Sequence, residues 1–285
     1  MKFSIIIPVY NKEAGISSTL SSVLSQSFHD YEIVIVDDGS TDSSLAIIRQ
    51  FDDKRIKIIQ QVNSGPSVAR NNGVRHANGE WIFYIDADDE LEPNALSLFA
   101  SLSEQKTGIN FIACNYYVEC NGVRAKRSNL FTDGIVGNNF RAWFFSRLLP
   151  CQGSYILKRE VALKHPFPTT LKRWEDASML FDIFKEEQVL RNNTPVFTYH
   201  RDYSQASRKC KDPKLDFLCN LDPANKSFWE RICLYRFFVQ STKLYPEESK
   251  KRYNDNFDNM YIKLSYNMIE GFSDLLISIK HKLLG

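Results

Sequence analysis

Short apolar runs alternate with stretches of helical period through the first hundred residues, and this alternation limits the chain more than any other feature. It is the pattern of a mostly parallel sheet whose strands are joined by crossover helices. Phe3 to Val9 reads as a strand, and Ile16, Leu20, Val23 and Leu24 then recur on one helical stripe. Glu32 to Val36, Ile56 to Ile59 and Trp81 to Ile85 read as further strands. Between them, Leu45, Ile48 and Phe51 mark one helix, and Ser67 to Ala77 a second, entered through Gly65 and Pro66. After the fourth strand a helix carries Leu96, Phe99 and Leu102, and Ile109 to Val118 reads as a strand ending at the turn Asn121-Gly122. Asp133 to about Tyr203 is mixed, with helices near 140–148 and 176–186 and a strand near 196–199. Beyond Ser207 the pattern is helical, with segments near 226–245, 247–271 and 272–284.

Composition removes several classes. Apolar residues make up 43% and charged residues 25% of the 285, which excludes a disordered or collagen-like chain. Thirty-six Lys and Arg against 34 Asp and Glu leave a net charge of +2, so no nucleic-acid partner is expected. Residues 201–285 are the mildly basic part, with 15 basic and 11 acidic side chains. Six scattered cysteines without C-x-x-C spacing are expected to be reduced thiols of a cytoplasmic protein. The opening MKFSIIIPVYNKE reads as a buried strand rather than a leader, and no stretch approaches the roughly 20 apolar residues that span a bilayer.

Acidic clusters stand where strands end or a helix begins: Asp37-Asp38, then Asp86, Asp88 and Asp89, then Glu175-Asp176. In an open α/β sheet the crevice beyond the carboxyl ends of the strands is the binding site. Carboxylates gathered there repel one another unless a cation or a proton relieves them, and oxygen ligands of this kind suit Mg²⁺ or Mn²⁺. Taken singly, each cluster is equally well a helix cap or a turn.

Four motifs carry a resemblance: Ile7-Pro8-Val9-Tyr10-Asn11, Val36-Asp37-Asp38-Gly39-Ser40-Thr41-Asp42, Ala69-Arg70-Asn71-Asn72-Gly73 and Tyr84-Ile85-Asp86-Ala87-Asp88-Asp89. In this order the chain resembles the inverting family 2 glycosyltransferases of the GT-A fold, over about residues 1–205. The resemblance implies an α/β nucleotide-diphospho-sugar transferase fold with flanking helices. It divides the chain into a catalytic domain, 1–205, with a nucleotide-binding half (1–105) and an acceptor-side half (106–205), and a helical C-terminal extension, 206–285.

The resemblance also implies roles. Pro8, Tyr10 and Glu13 would line the base and ribose pocket, Asp38 would accept a hydrogen bond from uracil, and Gly65 and Arg70 would complete the nucleotide side. Asp88 would ligate the metal, with Asp86 set for ribose and water-mediated contacts. Asp176 would be the general base, with Trp174 and Glu175 beside it on the acceptor side. Arg201 would pair with the diphosphate, and His200, where relatives more often carry an aromatic residue, offers a third metal contact or a structural one. The implied cofactors are Mn²⁺ or Mg²⁺ with a UDP-sugar donor, and the implied acceptor is a saccharide or a lipid-linked one. The stripe Phe272, Leu275, Leu276, Ile279 and Leu283 beside Lys280 and Lys282 suits a peripheral contact with the inner membrane, docking on the domain, or an oligomer interface. The rivals are a nucleotidyltransferase and a catalytically silent scaffold. Absence of a Gly-rich phosphate loop after the first strand counts against dinucleotide and P-loop enzymes.

Overall fold

The computed structural model describes residues 1–200, 212–217, 226–242 and 245. Four strands form the parallel part of the sheet: β1 (Phe3–Val9), β2 (Tyr31–Asp37), β3 (Ile56–Gln60) and β4 (Trp81–Tyr84), in the order β3-β2-β1-β4. Side chains along a strand alternate between faces, so β1 feeds two cores. Phe3, Ile5, Ile7 and Val9 pack with Ile16, Leu20 and Val23 of α1 (Ile16–Leu24) and with Ile48 of α2 (Ser44–Ile48). Ile6 faces the other way, onto Ala69 and Val74 of α3 (Pro66–His76). Every residue of β2 is buried, as a parallel strand covered on both faces requires. Gly73 permits α3 to lie this close, since a Cβ there would stand 2.4 Å from Ile6 Cγ2.

Beyond β4 antiparallel strands join the sheet, while its longer ladders stay parallel. β9 (Tyr155–Lys158) runs antiparallel to both β4 and β6 (Phe111–Cys120), and β6 pairs in parallel with β10 (Val189–His200). β5 (Glu90–Leu91) closes this edge, while β7 (Val123–Lys126) and β8 (Gly134–Ile135) pair with β6 and β10. The sequence pattern does not mark β9, because four residues are too short to show a period. β10 starts well before the expected 196 because Asn192 to Pro195 interrupts its apolar pattern, and the ladder shifts register there. Asn121 (φ 51°) and Gly122 (φ 72°) make the expected β6–β7 hairpin turn.

Helix α4 (Ala95–Gln105) covers the α1 face. α5 (Asn139–Phe144), α6 (Arg159–Lys164), α7 (Glu175–Glu186) and α8 (Phe228–Thr242) cover the other. α5 stops earlier than expected because Ser146 takes a left-handed conformation, φ 54°. α8 docks on α5, where the Cys233 thiol donates to the Phe140 carbonyl and Arg236 Nη1 to those of Trp143 and Phe144. Among the described residues no helix is long and apolar enough to cross a membrane. The segment 272–284 lies outside them.

Candidate active site

The carboxyl ends of β1, β2 and β4 open into one crevice, and its two sides use acids differently. On the β1–β2 side the loops are laced by backbone donors. Asp38, buried at the end of β2, accepts from Gln61 Nε2 (2.7 Å) and Ser64 N (2.8 Å) on Oδ1 and from Gly65 N (2.8 Å) on Oδ2. Gly65 suits this role because its φ is +89°, which brings its N–H round to the carboxylate just before Pro66 opens α3. Glu13 Oε2 accepts from Ser43 N at 3.0 Å, and Asp42 Oδ2 from Glu13 N at 3.1 Å. Burial pushes the Asp42 carboxyl up, but hydrogen bonds from the Ser44 hydroxyl and N–H and from Glu13 N outweigh it and hold its pKa below the usual value. Pro8 sits within β1, and Tyr10 follows it, exposed at the rim.

On the β4 side the acids crowd together. Arg70 reaches from α3 beneath them, 5% exposed, with its guanidinium 5.1 Å from the Phe167 ring. Its Nη2 donates to Asp86 Oδ1 at 2.8 Å, and its Nη1 lies 3.5 Å from Glu175 Oε1. Burial works against its charge, yet Asp86 and Glu175 keep its pKa above the ordinary value. Arg70 is therefore no surface cation, and its fork faces the acidic centre. Asp88 is ion-paired with Lys12, and its pKa is still raised, by burial and by the Asp86 charge. Asp89, 2% exposed, is raised further by burial, Asp86 and Asp88, and its Oδ1 accepts from His200 N at 3.1 Å.

Asp176 follows Glu175, the acid that Arg70 Nη1 reaches, and feels the charges of both Arg70 and Asp86. Burial, then the Glu175 charge, pushes its carboxyl up to about 6, against the pull of its bond from Ala177 N (2.7 Å) and of Arg70. It is not the helix cap. Trp174 holds that position in a left-handed conformation (φ 61°), and Asp176 is the second residue of α7.

Acids whose protonated forms are favoured by crowding are poised to accept a cation or a proton. Asp88 fits a divalent ion in this sense, with the Asp86 carboxylate beside it. Among the described residues no group of three or more His, Cys, Asp and Glu could hold one unaided. That suits an ion bound by one or two carboxylates together with substrate phosphates. His200 does not join such a group: its ring nitrogens lie 3.8 Å from Glu90 Oε1 and 3.9 Å from Glu119 Oε1, and its main-chain N–H is the link to the acidic centre. Arg201 lies outside the described residues.

Sequence reasoning missed Lys12, the cation on Asp88, and Gln61 and Ser64, the donors to Asp38. Lys12 follows β1 at the same crevice as the acids, which was the available signal. Gln61 and Ser64 sit in a polar loop that carries none.

The sequence model of glycosyl transferase family 2 matches residues 4–165. The poly(ribitol-phosphate) beta-glucosyltransferase of Bacillus spizizenii is 43% identical over 111 residues, 37% of this chain. The match spans 18% of that relative's own length. Among solved structures, S. aureus TarS 1–349 in complex with UDP-GlcNAc is similar with a TM-score of 0.69 at 20% identity, covering 85% of this chain and 73% of that one. The mannosyltransferase PcManGT from Pyrobaculum calidifontis, in complex with GDP-Man and Mn²⁺, follows with a TM-score of 0.54 at 16% identity, covering 99% and 80%. At these identities the structural likeness shows the fold, a central sheet flanked by helices.

Proposed function

The chain belongs to glycosyl transferase family 2, and from that premise we propose that it transfers a hexose or N-acetylhexosamine from a UDP-sugar to a hydroxyl of a saccharide or lipid-linked acceptor, inverting the anomeric centre. The observation that carries the proposal is the buried Asp176 carboxyl, pushed up to about 6 beside Glu175, which the Arg70 guanidinium joins to Asp86, the first acid of the strand-end cluster. A carboxylate with that pKa is ionised at neutral pH yet basic enough to take a proton, which is what a general base requires.

In the proposed reaction the acceptor oxygen bonds to the anomeric carbon as the bond to the donor's diphosphate breaks on the opposite face. The acceptor's proton passes to Asp176. Asp38 and the Gly65 turn form the floor of the nucleotide side, with Pro8, Tyr10 and Glu13 at its wall. Asp88, with Asp86, would hold Mn²⁺ or Mg²⁺. Such an ion, when bound, neutralises the charge that builds on the departing diphosphate. Lys12 would yield Asp88 to it. Arg70 keeps Asp86 and Glu175 in place and stabilises the ionised form of Asp176. The UDP-GlcNAc bound to TarS supports a uridine donor, and the Mn²⁺ of PcManGT supports the metal. The Bacillus relative's name, a poly(ribitol-phosphate) beta-glucosyltransferase, supports a role in polysaccharide assembly.

Calorimetric titration with UDP, GDP and CDP, with and without Mn²⁺, on the wild type and on Asp88→Ala, tests base recognition and the metal site together. UDP binding that needs both Mn²⁺ and Asp88 is the expected result. Failure of every nucleotide to bind would overturn the proposal.

A further inference from the structure

A second concavity lies on the other side of Trp174 from the acids. Trp143 of α5, Trp174 at the opening of α7 and Phe237 of α8 wall a cavity of about 190 Å³, and Leu149, Arg127 and Arg236 are among the rest of its lining. At ~30 Å³ per water, this is room for a few waters or one sugar ring. The aromatic walls are held edge to face, Phe237 lying 5.2 Å from both Trp143 and Trp174. Trp174 stands in a left-handed conformation, with the Arg173 guanidinium 5.0 Å from its ring.

The polar groups of the lining are all donors in excess. Arg127, exposed at the mouth, gives only Nε to the Tyr116 hydroxyl, at 3.3 Å. Arg236, half-buried in the wall, gives Nη1 to two carbonyls. Among the described residues Trp174 Nε1 is buried with no acceptor, no acidic side chain lines the cavity, and neither arginine is ion-paired. Two unpaired guanidinium groups and a bare indole N–H ask for an anion, and aromatic faces ask for a ring to cover them.

We propose that this cavity binds an oxyanion carried by a sugar or polyol unit of the acceptor, phosphate or carboxylate, with the ring against Trp174 and Trp143 and the oxyanion on Arg127 and Arg236. The inference rests on the transferase reading for its link to catalysis: Trp174 immediately precedes Glu175 and Asp176, so a chain seated here is held next to the proposed base. Its occupant is acidic saccharide or phosphodiester polymer, in contrast to a neutral glycan.

The test uses the whole chain saturated with UDP and Mn²⁺, so that the nucleotide site is not available to the probes. Glucose 6-phosphate, glucuronate and glucose are titrated by calorimetry, with tryptophan fluorescence as a second readout, on the wild type, Arg127→Gln and Trp174→Phe. At least one charged sugar is expected to bind about tenfold more tightly than glucose, and Arg127→Gln to remove that margin while UDP binding is unchanged. Trp174→Phe, which keeps a ring but loses the N–H, is expected to weaken binding by a smaller factor. Preference for the phosphate points to a phosphodiester polymer and preference for the carboxylate to an acidic saccharide; both support the proposal. Equal binding of all three sugars, or no binding while UDP binds, would overturn it. So would Arg127-dependent binding of phosphatidylglycerol vesicles without binding of the soluble sugars, which would make this face a lipid contact. Loss of UDP binding itself would instead break the transferase reading, and the dependence on Arg127 would still be measured on its own.

Discussion

The β1–β2 loops and the β4–α7 centre hold the same residue type in opposite states. Asp38 and Asp42 are surrounded by backbone N–H donors, and Asp42 is held below the usual carboxylate range. Asp88 and Asp89 are buried beside Asp86, Asp176 is buried beside Glu175, and all three are pushed up. Burial is the largest push on Asp88, Asp89 and Asp176, and like charges beside them add to it. The supply of donors widens the difference. Tight turns such as Gly39 to Asp42 and Ser64-Gly65 present successive N–H groups, whereas the centre has Arg70 and Lys12 for its acids. Satisfied carboxylates hold loops; unsatisfied ones are available for chemistry.

The contrast breaks first at Asp176. Replacement by Asn should lower turnover by about 10² to 10⁴ while UDP binding is retained, measured with a UDP-sugar and its acceptor. A similar loss of UDP affinity would move Asp176 from the proton-accepting role to donor binding. Arg70→Met should cost about 3–5 kcal/mol of stability, because it leaves buried acids without their cation, and urea unfolding reads this directly. Asp38→Asn should cost less, about 1–3 kcal/mol, since an amide turned toward Gly65 N meets donor with donor. If the two substitutions cost the same, the division between the regions fails.

The smallest effect carries a sign. A carboxyl raised from about 3.9 in the unfolded chain to about 6 in the fold binds its proton more tightly when folded. Its contribution to stability is therefore complete below about pH 3.9 and is lost as pH rises through 6. Asp176→Asn should unfold about 1–2 kcal/mol later than the wild type at pH 7.5, and the gap should close near pH 4. The wild-type rate should rise as pH passes through about 6. Denaturation series at the two pH values and a rate profile check both.

Much of this was legible in advance, and where it was not, distance along the chain explains why. β1 to β4 and their helices are set by local period, and the acids at their ends follow from strand length. β9 and the early part of β10 were not legible, the one too short and the other interrupted at Asn192 to Pro195. The nucleotide-side contacts close over short spans, with Asp38 meeting Gln61, Ser64 and Gly65. In the centre, Arg70 meets Glu175 across 105 positions and Lys12 meets Asp88 across 76. The aromatic cavity likewise joins α5, α7 and α8 from remote parts of the chain. Sequence by itself determined the family and the order of β1 to β4 with their helices, because period and motif are local. Only the tertiary structure decided which acids are satisfied and which are crowded, because a carboxylate's pKa depends on neighbours that folding brings together from remote parts of the chain.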